Sequence, residues 1–239
     1  MNEHVIWHDL ECGSYDEDLG LWGELAARHG GPILDVGAGT GRVALELARA
    51  GHAVTALDLD GELLGELTAR AEGLPVTALR ADARDFSTDE RFALCIVPMQ
   101  TIQLLGGSTG RRAFMACARA QLVPGGIVAL AIAEELEPFE IDEDGPGPLP
   151  DICERDGIVY SSQPTAVRVD GDGFVLERRR EIVDPRGERN AATDRIRLDR
   201  LDSALLEREG ASVGLSPAAR STIPASLDYV GSEVVVLRA

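Results

Sequence analysis

The stretch Ile33-Leu34-Asp35-Val36-Gly37-Ala38-Gly39-Thr40-Gly41 constrains this chain more than any other. A short apolar run enters a turn built on three alternate glycines. With no Cβ, Gly37, Gly39 and Gly41 let the backbone turn sharply and let a ligand lie against it. Arg42 to Ala50 are good helix formers, with apolar Val43, Ala44, Leu47 and Ala48 at helical spacing. Gly51 ends that helix, and His52 to Leu57 reads as a second strand ending at Asp58. The result is strand, turn, helix and strand in about 30 residues, the size of one βαβ crossover. Such crossovers are right-handed, so the two strands lie parallel and adjacent. The turn then sits at the carboxyl end of a strand, where open α/β sheets bind ligands. Asp58 ends the neighbouring strand, where a carboxylate accepts hydrogen bonds from both hydroxyls of a ribose.

The spacing distinguishes between nucleotides. A dinucleotide site wants its third glycine three residues after the second, and that position is Arg42. Asp35, just ahead of the turn, would repel a pyrophosphate and suits a ligand carrying a positive charge or an amino group. Here the chain resembles the class I S-adenosylmethionine-dependent methyltransferases, whose first motif reads much like Leu34-Asp35-Val36-Gly37-Ala38-Gly39-Thr40-Gly41. The resemblance implies a doubly wound α/β fold with a seven-stranded Rossmann-like sheet and S-adenosylmethionine as cofactor. It implies that Asp35, Gly37, Ala38, Gly39 and Gly41 hold the amino-acid end. Asp58 and Leu59 would meet the ribose and adenine, and Asp82 the adenine amino group. The Ala83 backbone N–H would meet a ring nitrogen, and Pro98 would mark the end of the fourth strand. Members of this family also bring an aromatic residue over the cofactor from an N-terminal helix. Tyr15 and Trp22 are the candidates, although Leu21, Trp22 and Leu25 equally read as a core face.

Composition bounds the function. A net charge of −18 repels nucleic-acid phosphate and anionic lipid heads. Nucleic-acid and membrane partners are therefore not expected; toward the substrate the charge reads first as a solubilising surface that says nothing, and second as suited to a neutral or cationic small molecule, the substrate class that the resemblance implies. No run of 18 apolar residues and no secretory leader pattern is present. Cys12, Cys95, Cys117 and Cys153 follow neither metal-ligand nor disulfide spacing, with Cys95 and Cys117 in apolar settings. A cytoplasmic protein without a metal is the expectation.

Along the chain, a helix through Leu63, Leu64, Leu67 and Ala71 precedes a third strand at Val76 to Leu79. Phe92 to Val97 is a continuous apolar run, suited to the middle of a sheet covered on both faces. Some small-molecule members of the resembled family read Asn-Thr-Leu-x-His after this strand. Here Gln100 replaces the Asn and Leu104 the His, so no general base is visible. A helix follows at Arg111 to Leu122, then Pro124-Gly125-Gly126, then a fifth strand at Ile127 to Ala133.

Residues 135–164 are acidic and rich in Pro and Gly, and read as a loop covering the substrate. Residues 165–198 read as a three-stranded antiparallel meander with turns at Asp170-Gly171-Asp172-Gly173 and Asp184-Pro185-Arg186-Gly187. Arg178-Arg179-Arg180 alternate faces on such a strand and read as solvated. A helix from Leu201 to Gly210, a strand beginning near Ser212 and a last strand through Glu233 to Leu237 complete the chain. The expected division is a cofactor-binding domain, 1–134 and 199–239, with 135–198 inserted as a lid or homodimer contact.

The leading expectation is methyl transfer to an O, N or C nucleophile of a small molecule. A nicotinamide-dependent oxidoreductase and a cofactor-binding protein without catalysis are the alternatives. The first is disfavoured by Arg42 and by the absence of Lys, which rules out a Tyr-x-x-x-Lys pair.

Overall fold

The structure is a computed structural model that describes residues 2–141, 147–226 and 229–239. Its elements run α1 (Glu3–Cys12), α2 (Leu19–His29), β1 (Ile33–Val36), α3 (Arg42–Arg49), β2 (Val54–Asp58), α4 (Gly61–Arg70), β3 (Val76–Arg80) and β4 (Phe92–Val97). A 3₁₀ turn (Thr101–Leu104), α5 (Gly107–Gln121) and β5 (Leu122–Ile132) follow. The short β6 (Phe139–Glu140) and β7 (Asp151–Arg155) precede three long strands, β8 (Ile158–Asp170), β9 (Gly173–Val183) and β10 (Arg189–Asp199). The chain ends with α6 (Ser203–Ser212), β11 (Ser216–Ile223) and β12 (Ser232–Arg238). These elements form two compact units, residues 15–134 with 201–239 and residues 1–14 with 135–200.

The first unit holds a seven-stranded sheet in the order β11-β12-β5-β4-β1-β2-β3. β3, β2, β1, β4 and β5 are parallel, and β12 runs antiparallel between β5 and β11. This is the strand arrangement the family resemblance implies. β1 is buried along its whole length and β4 at every position but Ala93, as a parallel sheet covered on both faces requires. In α3 the expected Val43, Ala44, Leu47 and Ala48 are buried, and so is Leu45. Trp22 is fully buried and belongs to the core face of α2. On the other face of the sheet Phe114 and Met115 of α5 pack with Leu206 of α6. A buried ion pair, Arg111 to Glu209 at 2.7 and 2.8 Å, joins the same two helices.

Pro124-Gly125-Gly126 does not separate helix from strand as expected. β5 already starts at Leu122, and the extra residues form a register shift opposite Phe92 and Leu94. Proline is tolerated there because a bulge leaves its position outside the ladder. Cys95 is buried as expected, but Cys117 is only half-buried.

The second unit is a five-stranded antiparallel sheet, order β10-β9-β8-β6, with β7 also paired to β8. The three-strand expectation is corrected on two points. β8 begins at Ile158 and runs through Pro164, which again lies at a register shift, between Pro164 and Ala166. β6 and β7 are short strands within the segment read as loop; of that segment, residues 142–146 lie outside the described residues.

Helix α1 belongs to this unit. Trp7 meets Tyr160 edge-on at 5.4 Å, and Glu11 takes two hydrogen bonds from Arg180, both 2.7 Å. Arg178 bonds the Ser162 hydroxyl at 2.8 Å and pairs with Asp151. The arginine triplet is therefore not simply solvated. Arg178 and Arg180 share the face turned to Glu11, while Arg179 lies on the other face with Glu181.

Candidate functional site

The parallel sheet brings the carboxyl ends of β4, β1, β2 and β3 side by side. Pro98, Gly37 to Gly41, Asp58 with Leu59, and Asp82 with Ala83 are the residues that leave those four strand ends. The order changes direction between β1 and β4, the switch point at which open α/β sheets bind ligands. Residues roughly 20 to 60 positions apart in sequence thus become spatial neighbours across the sheet.

The turn after β1 needs its glycines. Gly37, Gly39 and Gly41 have φ of +72°, +55° and +97°, a region that a side chain makes costly. At Gly37 a Cβ would also lie 2.6 Å from Cγ2 of Thr101. The turn's N–H groups are held from within. Gly37 and Ala38 both donate to the Leu57 carbonyl at 2.8 and 3.1 Å, and Gly41 donates to Ala38 at 2.9 Å. Gly39 donates to Oδ2 of Asp58 at 2.8 Å, and Asp60 donates to Oδ1 of the same carboxylate at 2.9 Å. Asp58 therefore ties the turn to the end of β2. Each oxygen keeps a further lone pair for a ligand hydroxyl. Leu59 beside it is 64% exposed, an apolar surface next to a polar cradle.

Asp35 differs from its neighbours. It is 1% exposed, and neither carboxylate oxygen has a hydrogen-bond partner. Burial pushes its carboxyl up to about 7, against the lowering pull of Arg42 and, more weakly, of the Ala44 N–H, and with the help of Asp18 and Asp58. Asp82 is half-exposed and bound to Arg84 through the Arg84 N–H (2.9 Å) and guanidinium (2.7 and 2.9 Å), which hold its carboxyl down to about 2. Ala83 is buried beside it.

Tyr15 lies in the core of the same unit. It is 5% exposed, with the Arg42 guanidinium 5.0 Å from its ring centre and the Tyr229 ring at 4.9 Å. Burial raises its hydroxyl to about 12.

Three features of this region carried no signal in the sequence reading. Arg42 forks onto Asp18 at 2.5 and 2.7 Å and reaches the Tyr15 carbonyl at 2.7 Å. Asp18 is itself fully buried and also accepts from the Trp22 indole at 2.8 Å. Met99, just past Pro98, has φ +54°, strained for a side chain of this kind. Gln103 bonds both the N–H and the carbonyl of Ala133, at 2.8 and 3.1 Å, so a side chain continues the sheet beyond β4. The Arg42 and Gln103 contacts join residues far apart in sequence, which periodicity does not reveal. Among the described residues no cluster of three His, Cys, Asp or Glu side chains is placed to hold a metal ion.

Residues 33–126 match the family model described as a methyltransferase domain. No curated protein matches the sequence. Among solved structures, DesVI of Streptomyces venezuelae is similar with TM-score 0.72 at 20% identity, covering 98% of both chains. An amino pentose methyltransferase from Micromonospora echinaspora, solved with S-adenosylmethionine bound, gives TM-score 0.72 at 21% identity, over 100% of this chain and 98% of that one. A sugar N-methyltransferase from Streptoalloteichus gives 0.73 at 16%, over 100% and 94%. At these identities the likeness establishes the fold of the whole chain, and the matched segment of the methyltransferase domain spans Asp35, the glycine turn, Asp58, Asp82 and Pro98.

Proposed function

We propose that this methyltransferase-domain protein moves a methyl group from S-adenosylmethionine to a nucleophile on a small molecule, with an amine on a sugar as the first acceptor class to test. The observation that carries the reading is the buried, unpartnered Asp35 under a glycine turn cross-linked by Asp58. An orphaned carboxylate suits a cationic ligand and disfavours a pyrophosphate. The residues present therefore fit S-adenosylmethionine. Gly37, Ala38, Gly39 and Gly41 would take its amino-acid end, Asp58 its ribose, and Leu59, Asp82 and Ala83 its adenine, with Pro98 bounding the acceptor side. Arg42 is committed to Asp18 and Tyr15, which counts against a dinucleotide phosphate at this turn.

The sulfonium supplies an already activated methyl. The protein's task is to align the acceptor in line with it and to exclude water. No catalytic base is assigned, since Gln100 and Leu104 stand where some relatives carry Asn and His. The sugar-amine acceptor rests on the printed activities of two structural neighbours.

Residues 135–198 are proposed to serve the acceptor, because every residue assigned to the cofactor lies outside them. Exposed Val169 and Ile196, whose partners Phe174 and Leu176 share one face of β9, support pairing of two copies through that face. Four free cysteines support a reducing, cytoplasmic setting, and the charge of −18 disfavours a nucleic-acid substrate.

Mass spectrometry of the purified protein, followed by calorimetry with S-adenosylhomocysteine and with NAD, tests the reading. Binding of the first and none of the second at millimolar concentration is expected. The reverse result overturns it.

A further inference from the structure

Asp35 lies in mid-sheet, on β1, with β2 and β4 on either side. The charged and titratable groups that face it come from each neighbouring element. They are Arg42 from α3, Asp18 ahead of α2, Asp58 from β2 and the Cys95 thiol from β4. Arg42 is the cation among them, and Asp18 already holds it bidentately. The N–H groups of Gly37, Ala38, Gly39 and Gly41 are spent on Leu57, Asp58 and Ala38 and are not turned to Asp35. What remains is a carboxyl shut off from water beneath the glycine turn, whose oxygens make no full hydrogen bond and feel only a weak pull from the Ala44 N–H. An isolated buried charge is far costlier than a neutral carboxylic acid.

We propose that cofactor binding is coupled to ionisation of Asp35, which is neutral while the turn is empty and releases its proton when the positively charged amino-acid end of the ligand arrives. The O–H bond of the carboxyl breaks, the electron pair stays on the oxygen, and the proton passes to solvent. The incoming ammonium then adds its counter-charge to the partial one that Arg42, shared with Asp18, provides. Burial, which pushes Asp35 up to about 7, places the effect near neutral pH. Cys95 stays a thiol throughout, because burial and Asp35 itself push it well upward. This inference rests on the cofactor reading above, and it makes this site sensitive to pH without a histidine.

The test is calorimetric. S-adenosylhomocysteine, which carries the same amino-acid end, is titrated into the wild-type protein at pH 6.0, 7.0 and 8.5, in pairs of buffers with different ionisation enthalpies. The ligand's α-amino group stays protonated at the lower two values. Release of close to one proton is expected at pH 6.0 and about half of one at pH 7.0, and at pH 8.5 release gives way to uptake, because Asp35 is already ionised and the ligand amine must gain its proton. The dissociation constant should rise about tenfold for each unit below pH 7. Asp35→Asn should release no proton and bind with no such slope, which separates Asp35 from Asp58 and Asp18. The wild-type arm stands even if that variant folds poorly. Normal binding with buffer-independent heats at pH 6.0 overturns the coupling and leaves the methyltransferase reading intact. Undiminished proton release by Asp35→Asn does the same. Failure to bind at any pH overturns both.

Discussion

Arg42 grips Asp18 with both arms of its guanidinium, at 2.5 and 2.7 Å, and the carboxylate it grips is fully buried. The pair joins the entry of α2 to the first turn of α3, directly behind the glycine turn. Truncating one member leaves the other charged and buried, which typically costs about 3–5 kcal/mol. Arg42→Ala should therefore lower the unfolding free energy by that order in urea titrations. Arg42→Lys should recover only part, because an ammonium does not reproduce the fork. A loss under about 1 kcal/mol would show that the pair is dispensable.

Asp58 has two roles. It holds the Gly39 N–H and is proposed to hold the ribose. Asp58→Ala removes hydrogen bonds to a charged acceptor, a loss of roughly 1–3 kcal/mol in binding. Calorimetry with S-adenosylhomocysteine should show weakening of about tenfold to a hundredfold. Unaltered affinity would remove Asp58 from the site.

Asp35 also predicts a pH dependence of stability in the unliganded protein. Its folded value, about 7, is raised above the unfolded value, so the neutral form favours folding. That contribution is complete below the unfolded value of about 4 and is lost progressively as pH rises from there to about 7, beyond which it no longer changes. At about 1.4 kcal/mol per unit, wild type should lose roughly 2 kcal/mol relative to Asp35→Asn between pH 5.5 and 8. Parallel urea titrations of both proteins read this difference directly. A constant difference would mean that Asp35 does not titrate in that window.

Gly37 and Thr101 form a tight contact between the glycine turn and the 3₁₀ turn after β4. A Cβ at Gly37 would meet Thr101 Cγ2 at 2.6 Å and Oγ1 at 2.7 Å, on a backbone with φ +72°. Gly37→Ala should destabilise by about 1–3 kcal/mol. Adding Thr101→Ala should recover part of it, leaving the backbone strain. Additive effects in this double-mutant cycle would show that the two turns do not touch.

The acceptor role of residues 135–198 is open to deletion. Replacing Gly145 to Pro150 with a short Gly-Ser link should leave S-adenosylhomocysteine affinity unchanged. It should raise the acceptor KM or lower turnover, once a screen of amines, phenols and carboxylates has supplied a substrate. Unchanged kinetics would leave the segment a linker.

The sequence alone determined the strand–glycine turn–helix unit, because three residues without Cβ between an apolar run and a helix have few conformational solutions. It also determined the parallel sheet, since Phe92 to Val97 and Ile127 to Ala133 are apolar throughout and need cover on both faces. The antiparallel sheet was legible in outline from its turn residues. Its extent was not, because Pro124 and Pro164 read as breaks until bulges accommodate them. Only the tertiary structure decided the electrostatics. Asp35 looks like any strand-end acid until four neighbouring elements exclude water from it. Arg42 looks like a surface helix residue until Asp18 closes on it. Arg178 and Arg180 look solvated until Glu11 arrives on α1. Periodicity reports which face a side chain takes, whereas the solvation of a charge depends on what distant segments place against that face.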